Sequence, residues 1–227
     1  MYLTILIPCL NEERTIGECI DKAKKFINRT KIDADILVVD NNSTDNSINI
    51  AKEHGARVVI EHSKGYGNAL RTGIRQAEGE YFIFGDADCS YDFEHLDEYI
   101  SKFKEGYEFV TGNRFAYKID KSAMSRLHKI GVPFLSWIGR CRYKVKIKDF
   151  HCGLRGFKKC IFMEEDLKTS GMEFATEMIA VAARKKIKIG EIPIRLYPDK
   201  RGRPSHLRTI RDGFRHLAYM MKGNKKP

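Results

Sequence analysis

The chain has 227 residues, 42% of them hydrophobic and 31% charged, with a formal net charge of +11. That composition belongs to an ordinary folded protein, and no apolar run reaches the ~20 residues that a membrane-spanning helix needs. The charge is unevenly divided: residues 1–120 hold 15 Lys and Arg against 21 Asp and Glu, whereas residues 121–227 hold 26 against 9. The opening "MYLTILIPCL" lacks a basic leader and a small-residue cleavage site, and Pro8 interrupts it, so it reads as a first strand and not a signal peptide. "ERTIGECIDKAKKFI" carries Ile16, Cys19, Ile20, Ala23, Phe26 and Ile27 at helical spacing. "ADILVVD" is a continuous apolar run, as expected of a strand covered on both faces. "NNSTDN" supplies turn and capping residues for the helix "SINIAKEHG", and "RVVIEH" is the third strand. "KGYGNALRTGIRQAEG" is a glycine loop feeding a helix, followed by the strand "EYFIFGD", the helix "EHLDEYISKFKEG" and the strand "YEFVTGNRF". Beyond residue 116 the alternation weakens. "SAMSRLHKIGVPFLSWIGRCRYKVKIKDF" suits either a packed helix pair or a basic amphipathic segment on a membrane surface. "GMEFATEMIAVAARKKI" is a helix, "KIGEIPIRLYP" a final strand, and "DKRGRPSHLRTIRDGFRHLAYMMK" a basic loop leading into a basic helix.

Repeated strand–helix units predict an α/β, doubly wound, mostly parallel sheet, whose ligands bind beyond the carboxyl ends of the strands. The residues that end these strands are polar: Asn11 and Glu12, Asp40, then Asp86 and Asp88. Two carboxylates so close repel by about 1–4 kcal/mol. A hard divalent cation reverses the sign, and Mg²⁺ takes one or two carboxylates plus the oxygens of a substrate diphosphate. The pair in "FGDADCSYD" therefore reads as a bridge between protein and a nucleotide diphosphate. Cys9, Cys19, Cys89, Cys141, Cys152 and Cys160 form no C-x-x-C pair and read as thiols of a reducing compartment. His151 and Cys152 have no second ligand pair at zinc spacing and read as structural.

"IPCLNEE", "ILVVDNNSTDNS", "KGYGNALRTG", "FGDADCSYD", "GNRF" and "DFHCGLRGF", in this order, resemble the family-2 glycosyltransferases. The nearest likeness is to the polyprenyl-phosphate (dolichyl-phosphate) mannose and glucose synthases. The resemblance implies a GT-A fold spanning residues 1–227 as one domain. Residues 1–115 would be the nucleotide-sugar half and residues 116–227 the basic, helical, acceptor- and membrane-facing half. It implies that Pro8, Glu12 and Asp40 contact the nucleoside and that the loop from Lys64 closes on the nucleotide. Asp86, Ala87 and Asp88 would hold the diphosphate, with Mg²⁺ or Mn²⁺ on Asp86 and Asp88. Relatives place a larger polar residue where this chain has Ser90, which alters the expected metal shell. Asp88, Arg114, Asp149 and Glu173 would be the catalytic residues, with Arg114 facing the sugar or the acceptor phosphate, while Asp149 and Arg155 flank the "HCGLRG" turn as either capping or acceptor-side groups. Glu173 and Glu177, four apart, would share one helix face. Arg201, Arg203 and His206 would complete the phosphate-binding field.

The expected reaction is inverting transfer of a hexose from a UDP-glucose or GDP-mannose type donor to polyprenyl phosphate. A phosphate monoester is largely dianionic at neutral pH and needs cations more than a base. The alternative acceptor is a saccharide or glycolipid hydroxyl. The basic half suits an anionic membrane surface at the cytoplasmic face, with or without a separate membrane protein as anchor. A nucleic-acid partner is not expected, because the acidic strand ends would repel phosphates and no DNA- or RNA-binding signature is present.

Overall fold

The computed structural model describes residues 1–162, 167–203 and 208–222. Among these, one seven-stranded sheet comprises β1 (Leu3–Cys9), β2 (Ala34–Asp40), β3 (Arg57–Ile60), β4 (Tyr81–Phe84), β5 (Phe109–Asn113), β6 (Arg155–Lys158) and β7 (Ile189–Pro193). The spatial order is β3-β2-β1-β4-β6-β5-β7. The ladders β3–β2, β2–β1, β1–β4 and β5–β7 are parallel, whereas β6 runs antiparallel to both β4 and β5. The helices are α1 (Ile16–Thr30), α2 (Ser47–Glu53), α3 (Tyr66–Gln76), α4 (Asp97–Lys104), α5 (Arg126–Tyr143), α6 (Phe174–Arg184) and α7 (Thr209–Met221).

Two-residue periodicity divides the strands between two cores. Leu3, Ile5 and Ile7 of β1 and Ile36 and Val38 of β2 join Ile16, Ile20 and Phe26 of α1 on one face. Leu6, Leu37 and Val39 point the other way, to Leu70 and Ile74 of α3 and Phe174 and Met178 of α6. Burying a side chain of this size stabilises the fold by roughly 1.5–3 kcal/mol. The central strands are apolar throughout because both faces are covered.

Two segments differ from the sequence reading. Arg155 was expected beside a turn, but it opens β6, which is wedged between β4 and β5. A four-residue stretch with two cations and a glycine has no strand periodicity of its own; its conformation comes from a ladder on each side. Gly156 permits the close fit, since a Cβ there would lie 2.7 Å from the Phe103 ring. The second is the segment read as either a helix pair or an amphipathic stretch: it departs from the pair, because α5 is a single 18-residue helix that keeps Pro133 in its interior. It buries Ser136 and Gly139 and rests against α7 and α6. Its opposite face leaves Leu127, Ile130, Phe134 and Trp137 exposed. No described helix is long and apolar enough to cross a membrane.

Candidate active site

The loops leaving β1, β2 and β4 meet at one edge of the sheet, and each contains a non-glycine residue with positive φ: Asn11 (56°), Asn42 (69°) and Cys89 (63°). Such backbone is uncommon outside glycine and concentrates at functional edges. A cleft of about 890 Å³ opens there. At one end stand Glu12, Asp86 and Asp88; at the other, α5 and α7 contribute Leu127, Leu135 and Phe214.

At the carboxylate end, the Ser90 amide donates to Asp88 Oδ1 at 2.9 Å, and Arg201 Nη2 donates to Asp88 Oδ2. Arg201 Nη1 also lies 3.4 Å from Glu12 Oε1, and Arg203 Nη2 lies 3.2 Å from the same atom. The Tyr66 hydroxyl donates to Asp86 Oδ1 at 3.2 Å. Burial, then the neighbouring Asp88 charge, pushes the Asp86 carboxyl up. Glu12 is pushed up as well, by burial, with Arg201 and Arg203 opposing. The basic segment is fastened across this end: the Tyr197 and Lys200 amides donate to the Ser90 and Asp88 carbonyls, each at 3.0 Å. Arg203 Nη2 donates to the Leu10 and Asn11 carbonyls.

Asp86 and Asp88 fit a hard divalent cation. Gly153 leaves clearance beside Asp86, because a Cβ at 153 would stand 2.5 Å from its Oδ2. The described residues contain no cluster of three or more His, Cys, Asp and Glu able to hold a metal. A two-carboxylate oxygen set suits Mg²⁺ or Mn²⁺, which complete their shells with phosphate oxygens and water, and does not suit a closed zinc cage.

Residues 4–169 match the family model described as "Glycosyl transferase family 2". The chain belongs to glycosyltransferase family 2. This family-2 glycosyltransferase is 35% identical over 221 residues to the low-salt glycan biosynthesis hexosyltransferase Agl6 of Haloferax volcanii, covering 96% of this chain but 53% of the relative, about half its length. It is 25% identical over 194 residues to the dolichyl-phosphate hexose transferase of the same organism, covering 85% of this chain and 81% of the relative. A solved structure of glucosyl-3-phosphoglycerate synthase from Mycobacterium tuberculosis superposes with a TM-score of 0.76 at 18% identity, covering 97% of this chain and 79% of the other. Other structures of that enzyme hold Mn²⁺ and UDP.

In this glycosyltransferase, Pro8, Glu12, Lys64, Asp86, Ala87, Asp88, Arg114 and Arg201 all line the cleft. Asp40 does not, although its neighbour Asn41 does. Asp40 Oδ1 accepts from the Ser43 amide at 2.9 Å, while its Oδ2 is buried without a partner. Arg114 is engaged by the fold: Nε and Nη2 donate to Asp149 at 2.7 and 2.9 Å, and Asp149 is fully buried. Asp149 is therefore a structural counter-ion, absent from the cleft wall. Glu173 and Glu177 diverge. Glu173 precedes α6 and pairs with Arg215 at 2.7 Å, whereas Glu177 accepts from the Lys168 and Thr169 amides. His206 lies outside the described residues.

Several lining residues escaped the sequence reading. Asn41 holds the loop before α3, with its Oδ1 accepting from the Gly65 amide at 2.7 Å and its Nδ2 donating to the Glu61 and Ser63 carbonyls. Tyr66 opens α3 directly after the loop; its hydroxyl was the available signal. His151, read as structural, lines the cleft beside His216 of α7. The two are 65 positions apart in the chain, and only folding joins them.

Proposed function

We propose that this glycosyltransferase moves a hexose, with inversion, from a nucleotide diphosphate sugar to a polyprenyl phosphate. The observation that carries the acceptor is the cleft itself: beyond its carboxylate end α5 and α7 line it with Leu127, Leu135, Ile210 and Phe214, interspersed with the cations Arg211 and Arg215. A saccharide hydroxyl gains nothing from Leu127, Leu135, Ile210 and Phe214, whereas a hydrocarbon tail does. Asp86 and Asp88 would hold Mg²⁺ or Mn²⁺ beside the donor diphosphate. When bound, the ion stabilises the charge developing on the departing nucleotide.

The chain's own residues do the rest. Asp40, off the cleft wall, fastens the turn at Ser43, and its neighbour Asn41 brings that strand end to the nucleoside beside Pro8 and Glu12. Lys64 closes over the diphosphate from the glycine loop before α3. Arg201 and Arg203 hold the first loop and the Asp88 carboxylate in register and contribute positive charge beside the phosphates. Arg114, its guanidinium fixed by Asp149, presents a rigid edge to the reacting centre.

A hydroxyl acceptor needs a general base to take its proton. Asp149 is occupied by Arg114, Glu177 by amides, and Asp212 of the cleft wall accepts from the Arg208 amide; Glu173 keeps Oε2 without a partner but pairs with Arg215 through Oε1 and stands off the cleft wall. A dianionic phosphate needs no such group, and the dolichyl-phosphate hexose transferase relative is in keeping with that choice. The exposed apolar face of α5, set in a half of the chain with net charge +17, would hold the enzyme on anionic lipid at the cytoplasmic face.

Incubating the protein with labelled UDP-glucose or GDP-mannose, Mn²⁺ and farnesyl phosphate tests the reading. Label should pass to the lipid, and Glu173→Gln should retain that transfer. Transfer to a saccharide hydroxyl, lost in Glu173→Gln, would instead establish the hydroxyl acceptor.

A further inference from the structure

Arg155 is fully buried, yet its guanidinium touches only neutral groups. Nε donates to the Cys152 carbonyl at 2.8 Å, Nη1 to the Ala175 carbonyl at 2.6 Å and Nη2 to the Phe150 carbonyl at 2.5 Å. Asp149 is taken by Arg114, and among the described residues no carboxylate forms an ion pair with Arg155. A buried charge without a counter-charge is costly to maintain. These contacts use only part of the five-donor fork, and Arg155 borders the cleft.

A second, independent feature lies beside it. His151 packs edge-on against His216, ring centroids 4.3 Å apart, and both its ring nitrogens are buried with no hydrogen-bond partner. An imidazole empty at both nitrogens is unusual in a folded protein. Burial, then the His216, Arg114 and Arg155 charges, hold it well below the ordinary histidine range. It is thus neutral and keeps one N–H to donate. Two residues on, Gly153 lies against Asp86, while His216 belongs to α7, the apolar wall. His151 and Arg155 thus stand where the carboxylate end gives way to the apolar end.

We propose that His151 and Arg155 form the subsite for the acceptor's phosphate, a phosphomonoester on a hydrocarbon tail, apart from the Asp86–Asp88 end that takes the donor diphosphate. This rests on the lipid-phosphate reading above and assigns that reading residues it did not use. The dianion supplies the counter-charge that Arg155 lacks and the acceptor that the His151 N–H lacks. The tail then continues between α5 and α7.

The test is calorimetric titration of farnesyl phosphate and of farnesol into the full chain, wild type and His151→Phe, with UDP or GDP plus Mn²⁺ as a separate arm. Phenylalanine keeps the ring contact with His216 and removes both nitrogens. His151→Phe should weaken farnesyl phosphate by roughly ten- to a hundredfold, the range for a hydrogen bond to a charged group. Farnesol and the nucleotide should bind as before, and His151→Gln should recover part of the loss. In the wild type, the His151 ring ¹⁵N resonances should move on adding farnesyl phosphate and stay on adding farnesol, a readout that needs no variant. Unchanged farnesyl phosphate affinity in His151→Phe, or a loss confined to the nucleotide, overturns the subsite while leaving the lipid-phosphate acceptor intact. Equal affinity of the wild type for farnesol and farnesyl phosphate overturns both.

Discussion

Removing the Asp149 carboxylate would leave the Arg114 guanidinium charged, buried and without a partner. Asp149→Ala should lower the unfolding free energy by about 3–5 kcal/mol, as when other buried pairs lose one member. Urea denaturation measures this directly. A loss under about 1 kcal/mol, the range of exposed pairs, would mean that Arg114 finds another counter-charge and that the pair does not brace the site. His216 offers a pH test. Burial, followed by the Arg155 and Arg215 charges, lowers its imidazole to about 4. Below an ordinary value near ~6.5, the unfolded chain takes up a proton that the folded chain refuses until about 4, so stability falls with acid across that window. Between pH 7 and 5 the wild type should lose on the order of 2 kcal/mol more than His216→Asn. His151 adds to the same window in both proteins. Equal losses would show that His216 protonates in place. At this scale the place of Asp86 and Asp88 on the cleft wall was legible, because D-x-D at a strand end is local. It carried the arginines less well, because whether Arg114 meets a substrate or Asp149 depends on a residue 35 positions away.

Helix α5 exposes Trp137, the chain's single tryptophan, to 54% and Phe134 to 58%. That gives the membrane reading a built-in reporter. Trp137 emission should shift to the blue when anionic vesicles are added, and Phe134→Ser should weaken vesicle binding several-fold. No shift at saturating lipid would mean that this face is covered by something other than a bilayer. Among the elements, β1, β2 and β4 were readable because both faces are buried and the runs are therefore continuously apolar. β6 was not, since Arg155 and Lys158 at its ends conceal a strand whose pairing comes from β4 and β5. α5 was readable as helix-forming but not as one helix, because Pro133 suggests a break that eighteen residues of packing and hydrogen bonding override.

Across the whole molecule, charge is divided between an acidic first half and a basic second half, and the structure folds one onto the other. Arg201 reaches Asp88 across 113 residues, and Arg203 reaches Glu12 across 191. The charge split was legible from counting residues. That part of the basic half would neutralise the acidic strand ends was not, because such pairs leave no mark on local sequence. The remaining positive surface is the part available to lipid, and its attraction should be strongly salt-dependent. Adsorption to anionic vesicles should fall steeply toward 1 M salt, where the screening length is about 3 Å. Adsorption indifferent to salt would assign the whole attraction to the apolar face of α5.

Whether Asp86 and Asp88 join a divalent ion to an activated sugar is decided by calorimetric titration of UDP-glucose and GDP-mannose with and without Mn²⁺. One donor should bind, only when the metal is present, and its uptake should disappear in Asp88→Asn. Uptake of neither donor in Mn²⁺, or uptake indifferent to both the metal and Asp88→Asn, would contradict that role.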